Sequence, residues 1–252
     1  MSGPLIRYVL TAAIRDRLVV SLLVLLAVGT SLSVFLGASA IAERGSFVNV
    51  FAGAGLRLAG VLGLVLFVVF FVRRSFESRD VEFLLSRPIG RITFLFSYAA
   101  AFSLIAIALG AATGLALWAI NPNKMNEGLL LWTFSIMAEN VIMVNTAFFF
   151  SMVLTSSATA AMVASAFYVL ARLMGQLLGI IDASLNEHLK VLDIIMQGIS
   201  IVMPRLDLMG QTSWLIYGPD ASVNMMFVMA QGLIFSFLVL MASLVDLMRR
   251  QF

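Results

Sequence analysis

The sequence contains no cysteine, one histidine and few charged residues. Only 12% of its 252 residues are charged, whereas 62% are hydrophobic. Without cysteine, neither a disulfide nor a thiolate metal site can form. His188 has no second histidine with which to bind zinc, so it is interpreted as a solvated side chain. A soluble domain of this length needs far more polar surface, and the composition therefore excludes an ordinary soluble protein.

The motifs of common enzymes are also missing. The sequence has no Gly-x4-Gly-Lys-Ser/Thr loop, so the chain does not bind ATP by that device. No long apolar segment contains a histidine, which an intramembrane serine hydrolase would need as its base. The 15 methionines are interpreted as flexible apolar filler rather than copper ligands. The chain is predicted to be neither an enzyme nor a metal or cofactor protein.

Long apolar runs dominate what is present. A membrane helix needs about 20 apolar residues to cross roughly 30 Å of hydrocarbon. The uncharged run 18–42 is too long for a secretion signal, although Ala38-Ser39-Ala40 resembles a cleavage site, and is predicted to be a permanent span. The expected fold is an all-α integral membrane protein with one transmembrane domain, 1–252. Its six predicted spans are about 18–40, 51–72, 92–120, 129–154, 158–181 and 221–245.

The basic residues are distributed unequally between the two sides of the six predicted spans. Four lie on one side: Arg44, Lys124, Lys190 and Arg205. Ten lie on the side that holds both termini: Arg7, Arg15, Arg17, Arg73, Arg74, Arg79, Arg87, Arg91, Arg249 and Arg250. Positive residues concentrate in cytoplasmic loops, so both termini are predicted to be cytoplasmic.

Two segments outside the spans have helical apolar stripes. The segment 3–17 carries Pro4 in its first turn, and Arg7 and Arg15 lie away from its apolar stripe, which predicts an interfacial helix. The segment from Ser184 to Pro204 repeats apolar residues at intervals of four and three. This spacing predicts a second amphipathic helix on the outer side.

Three charged residues fall in apolar surroundings: Arg57, Glu139 and Arg172. Charges inside a membrane are costly and normally face protein or water. Glu139 and Arg172 lie on consecutive antiparallel spans, which favours a structural ion pair assisted by Asn140 or Asn145. A polar point on a substrate path is the alternative. The glycine pairs Gly110/Gly114 and Gly175/Gly179 are interpreted as close helix packing.

A charged segment, 73–91, separates the second and third spans. Arg73 and Glu77 have the spacing of a helical ion pair, and Pro88 ends the expected helix. An apolar cluster, Phe83-Leu84-Leu85, lies among the charges. The segment is either a solvated loop or a docking element for a cytoplasmic partner, since exposed apolar groups amid charges suit an interface.

This segment resembles the type-2 ABC transporter permeases, whose pattern is an acidic pair, a leucine-rich stretch and small-x-Pro-x-x-Arg. The matching residues are Glu77, Glu82, Leu84, Leu85, Ser86, Pro88 and Arg91. Residues 201–207 and 214–218 are similar to the outer segment of the subgroup labelled for multicopper-enzyme maturation. The resemblance extends over most of the chain, including the N-terminal helix and the turn at Thr155-Ser156-Ser157.

The resemblance implies a bacterial inner-membrane permease subunit with a separate ATPase that binds ATP and Mg. It also implies a second permease copy or homologue, contact with lipid, and no nucleic acid. The helix 73–87 and the matching residues from Glu77 to Arg91, with Phe83 among them, would couple the ATPase to the spans. The cargo would be an exported or flipped amphipathic or lipid-linked molecule. An ion-coupled secondary transporter, a membrane-embedded enzyme and a non-transporting anchor of an envelope complex are the alternatives.

Overall fold

The computed structural model describes residues 1–15, 17–37, 44–78, 90–120, 126–182, 198–199, 203–219 and 224–249. Within these ranges the chain is helical and has no strand. Six helices are long and apolar enough to cross a membrane, which confirms the all-α membrane fold. They are α2 (Arg17–Gly37), α3 (Arg44–Glu77), α4 (Arg91–Ile120), α5 (Glu127–Val153), α6 (Ser157–Asp182) and α8 (Met225–Arg249). The shorter helices are α1 (Gly3–Arg15) and α7 (Trp214–Tyr217).

Helix α1 packs against the beginning of α4. The backbone N–H of Ser2 donates to Oγ of Ser97 at 2.9 Å. The apolar stripe of α1 is buried, whereas Arg7 and Arg15 are exposed, as expected for an interfacial helix. Nearby, Nη1 of Arg91 donates to the last carbonyls of α8. The face of the bundle where α1, the start of α4 and the end of α8 meet is called the termini face, and the opposite end is the distal face.

Helix α5 lies at the centre of the bundle and packs against α3, α4, α6 and α8. It begins at a side-chain cap, because Oδ1 of Asn126 accepts the N–H of Leu129 at 2.9 Å. It ends at Val153, and α6 begins at Ser157 after the predicted tight turn. Its buried face is lined by large side chains and also by Glu139 and Asn140. The most buried span therefore carries an acid on its buried face.

The first glycine pair makes the predicted close helix contact. A Cβ at Gly110 would lie 3.0 Å from Cα of Met137 on α5, and Gly114 faces Thr133 one turn earlier on that helix. The second pair differs from the interpretation. Gly175 faces the side chain of Asp207, which is not on a span, and Gly179 has open space around it. Only the pair on α4 therefore allows two spans to approach.

Helix α3 is longer than predicted. Its 34 residues correspond to about 51 Å of helix, well beyond the roughly 30 Å of a hydrocarbon core. It begins seven residues before the predicted span and continues to Glu77, with Arg57 near its middle. The coupling residues Glu82, Phe83, Leu84, Leu85, Ser86 and Pro88 lie outside the described residues. So does most of the helix expected from Ser184 to Pro204.

Candidate functional site

An irregular stretch of chain enters the bundle from the distal face. This distal segment, residues 203–218, contains a 3-10 turn at Leu206–Leu208 and then α7. Leu206, Met209 and Trp214 are completely or almost completely buried. The segment packs against α3, α5 and α6. Irregular backbone inside a membrane bundle must find hydrogen-bond partners within the protein, because lipid offers none.

Gly210 makes the sharp bend of the distal segment. Its φ of 54° lies in the left-handed region that favours glycine. Its N–H donates to Oγ of Ser135 on α5 at 2.7 Å. A Cβ at this position would lie 2.5 Å from Cδ1 of Ile136 and 3.4 Å from Oε2 of Glu139. Both the backbone angle and the space therefore require glycine here.

Two arginines from different spans hold the carbonyls of the distal segment. Nη1 of Arg57 on α3 donates to the carbonyl of Gly210. Nη1 of Arg172 on α6 donates to the carbonyls of Leu206 and Met209, the second at 2.6 Å. Hydrogen bonds from charged donors are stronger than those between neutral groups. The arginines thus satisfy backbone acceptors that an irregular segment cannot satisfy by itself.

Glu139 lies among these arginines. Its side chain is completely buried, and its Oε2 is 3.7 Å from Nη1 of Arg172. Tyr168, one turn before Arg172 on α6, is also buried near this carboxylate, and Arg57 is the second nearby cation. A buried carboxylate is tolerated only beside opposite charge. Arg57, Glu139 and Arg172 form one group, the arginine–glutamate cluster.

The structure brings together all three intramembrane charges that the sequence singled out. The ion pair expected between Glu139 and Arg172 is present. The two asparagines do not assist it: Nδ2 of Asn140 donates to the carbonyl of Ala106 on α4, and Nδ2 of Asn145 donates to the carbonyl of Val141. Both amides instead bond to helix backbone, so that part of the prediction is wrong.

Sequence reasoning missed the carbonyls of the distal segment and the proximity of Tyr168. The sequence did contain one signal of these contacts. The apolar spans hold two arginines but only one buried acid, so the charges cannot pair one to one. The second arginine needed another acceptor, and a buried irregular backbone supplies several. A backbone carbonyl has no sequence signature, so the identity of that acceptor could not be read from the residues.

Further contacts stabilise the distal segment internally and link it to α8. Arg205 and Asp207 form a bidentate pair, with Nη2 of Arg205 2.9 Å from Oδ2 of Asp207. Hydrogen bonding to Asp207 raises the pKa of Arg205, so the guanidinium stays charged. Nε2 of Gln231 on α8 donates to the carbonyl of Met203 at 3.2 Å. The segment is therefore linked to several spans at once.

The distal segment also requires a glycine on α5. A Cβ at Gly128 would lie 3.0 Å from the carbonyl carbon of Trp214 and 3.2 Å from Cα of Gly218. Because both atoms belong to backbone, Gly128→Ala should destabilise the protein by about 1–3 kcal/mol, the usual range for overpacking. Gly55→Ala is the matched control, since Gly55 is an exposed helical glycine and a Cβ there would meet nothing within 4 Å.

Thermal unfolding in detergent measures both glycine variants. Alanine is the better helix former by about 1 kcal/mol, so the control should unfold at the same temperature or above it. The Gly128 variant should unfold below the unmodified protein. Equal unfolding temperatures for the two variants would mean that Gly128 is not needed for this contact.

The two described coupling residues lie at the termini face. Glu77 ends α3, and Arg91 begins α4 and bonds to the end of α8. About 30 Å of α3 separates Glu77 from Arg57 in the cluster, at 1.5 Å per residue.

No protein-family model matches the sequence, and no curated protein matches it either.

Proposed function

We propose that this chain is the membrane-spanning subunit of an ABC transporter, working as one of two membrane halves with a separate ATPase. One observation carries the proposal beyond the resemblance in residues 77–91. Helix α3 runs without a break from the distal face to Glu77, and it bears Arg57 on the way. The segment that resembles a coupling element is thus directly continuous with a helix that holds the distal segment.

A second connection supports the same coupling. Arg91, at the other end of the charged segment, donates to the carbonyls of Leu247 and Met248. Helix α8 in turn holds the distal segment through Gln231. Both flanks of the charged segment are therefore linked through spans to the same irregular segment on the opposite face. Helices that pack in one bundle and are linked in this way at both ends can transmit a displacement as rigid elements.

The proposed cycle follows from these connections. Closure of the ATPase subunits on ATP displaces residues 77–91, and α3 and α8 move with them. The spans rock and open a path at the two-fold interface between permeases. The chain binds no nucleotide and breaks no covalent bond, and ATP and Mg belong to the partner subunit. The cargo is an amphipathic or lipid-linked molecule, in keeping with largely apolar spans that hold few polar residues.

This function requires the termini face to be cytoplasmic. The absence of native cysteine makes labelling of single cysteines clean. Cysteines at Ser78, Ser86 and Gln251 should react with a membrane-impermeant maleimide only from the cytoplasmic side. Those at Asn123 and Asn186 should react only from outside. Reversed labelling of Ser86 and Asn186 would put the coupling segment on the wrong side for an ATPase.

The deciding experiment is transport by the isolated complex. The tagged chain should copurify from its native membrane with a nucleotide-binding ATPase. That complex, reconstituted into vesicles, should move cargo only with hydrolysable ATP. Transport driven by an ion gradient without ATP would favour a secondary transporter. A complex without any ATPase would favour an envelope anchor.

A further inference from the structure

Helix α1 meets the spans at the termini face. It ends at Arg15 and α2 begins at Arg17, so the last turn of α1 lies where a span starts. The consecutive spans α2 and α3 pack side by side, and the side chain of Leu22 fills the space beside Gly63. Counted from that contact, the start of α2 is level with about Val68 of α3. The last turn of α1 is close to the same level.

The first turn of α1 lies at a similar depth. The N–H of Ser2 donates to Oγ of Ser97, about 9 Å along α4 from its start. Five residues further into α4, the ring of Phe102 packs edge-on against Phe67 and Phe71 of α3. Ser97 is therefore level with a point about five residues beyond these two rings, near the end of α3. Helix α1 thus lies against the flank of α4 and not across its end.

Both ends of α1 fall where the apolar part of α3 gives way to charge. Their levels, about Val68 and Arg74, differ by roughly 9 Å, whereas α1 is about 20 Å long. The helix therefore lies closer to the membrane plane than to the membrane normal. From Leu58 to Val72 α3 has no charged residue, and Arg73 follows. Because a run of this kind marks the hydrocarbon core, α1 lies in the headgroup layer beside it.

The outward face of α1 carries positive charge. Leu5, Val9 and Ala13 are buried on the face that packs against α2 and α4, whereas Arg7 and Arg15 are exposed. The helix contains no acidic residue. Neither guanidinium has an ion pair or a hydrogen bond among the residues that the structure describes. Two uncompensated cations therefore face the headgroup layer.

The depth and direction of this face favour lipid phosphate as its partner. Phosphate is the anion of the headgroup layer, and a guanidinium can bind it through two N–H groups. Tyr8 and Ile14 are exposed beside the arginines, and such amphipathic and apolar side chains suit this layer. Because the face points away from the spans along the membrane, a subunit docked on the termini face would not cover it. A two-fold contact centred on α1 would bring its arginines against their copies.

From these observations we infer that α1 binds the headgroups of anionic phospholipids in the leaflet at the termini face. Arg7 and Arg15 are about 12 Å apart along the helix, so they hold neighbouring lipids and not one. A zwitterionic headgroup brings its own cation, whereas an anionic headgroup compensates the charge of the arginine. The site requires no ATPase and is independent of the proposed transport cycle.

Quenching by brominated lipids tests the headgroup site. Because the chain has no native cysteine, Thr11→Cys places one fluorophore on the exposed face of α1, between the two arginines. The labelled chain is reconstituted into phosphatidylcholine vesicles with a trace of phosphatidylglycerol or phosphatidylcholine brominated near the glycerol. Phosphatidylglycerol should quench several-fold more, since each arginine near an anionic surface contributes roughly fivefold in affinity. A fluorophore at Leu233→Cys, exposed on α8, should be quenched equally by both lipids. Equal quenching at Thr11→Cys would overturn the inference.

Charge variants identify the groups that hold the lipid. Changing Arg7 and Arg15 together to Gln should abolish the preference for phosphatidylglycerol, whereas changing both to Lys should keep most of it, because the charge remains. Raising the salt concentration should weaken the preference of the unmodified chain, and this series is decisive even if the glutamine variant does not fold. A preference that survives both salt and the glutamine changes would overturn the site. So would loss of a copurifying protein with the lipid preference unchanged, because the arginines would then face that protein.

Discussion

Arg172→Gln is expected to destabilise the protein by about 3–5 kcal/mol, the cost of leaving a buried charge without its partner. The substitution leaves the carboxylate of Glu139 in the interior and removes the charged donor to the carbonyls of Leu206 and Met209. Glu139→Gln should cost less, because Arg172 keeps both carbonyl acceptors. Thermal or denaturant unfolding in detergent measures the difference between the two variants.

The double variant of Glu139 and Arg172 tests direct coupling. Removing both charges eliminates the stranded carboxylate, so the double variant should recover part of the stability lost in Arg172→Gln. Arg7→Gln is the matched control, because Arg7 is exposed on α1 and an exposed substitution changes stability by about 0.5 kcal/mol or less. Simple additivity of the two single changes would contradict an energetic link between the paired groups.

The same variants separate a structural role from a place on the substrate path. If the cluster has only a structural role, the variants should lose transport in proportion to their loss of folded protein. A cluster on the substrate path predicts variants that stay folded and lose transport. Arg57→Gln extends the comparison, since Arg57 holds the carbonyl of Gly210 but is not the closest cation to Glu139.

Glu82→Arg and Phe83→Ala are expected to separate the chain from the proposed ATPase, or to leave the ATPase bound with hydrolysis uncoupled from transport. Reversing the charge of Glu82 makes an attractive or neutral contact repulsive. Truncating Phe83 removes an apolar anchor, which at an interface centre costs about 1–4 kcal/mol, or roughly 5-fold or more in affinity. Copurification and ATP-driven transport measure the two effects.

Phe227→Ala is the matched control for the coupling variants. Phe227 is an exposed phenylalanine near the start of α8, at the distal face, opposite the face proposed to meet the ATPase. Its truncation should leave partner binding and coupled transport unchanged. If the Glu82 and Phe83 variants also retain both in full, residues 77–91 are a solvated loop, and the transporter assignment loses its strongest support.

The spans could be predicted because a membrane fixes both the length and the composition of a helix. The ends of the helices could not be predicted, since the backbone hydrogen bonds of a helix continue past the residues whose hydropathy marks the span. Asn49 is polar and lies outside the predicted second span, yet it is buried within α3. The pair of Glu139 and Arg172 was predictable from helix order and depth. The bend at Gly210 was not, because its partners are backbone groups from distant parts of the chain.

Arg57 and Arg172 bind the distal segment through its backbone carbonyl oxygens, which every residue type has. Substitutions at its exposed positions, Ser213 and Tyr217, leave these acceptors intact, whereas Gly210 cannot be exchanged. The segment can therefore carry foreign side chains without losing its attachment to Arg57 and Arg172. A fluorophore at Tyr217, whose side chain is 86% exposed, becomes a reporter that travels with the segment and leaves its anchorage untouched.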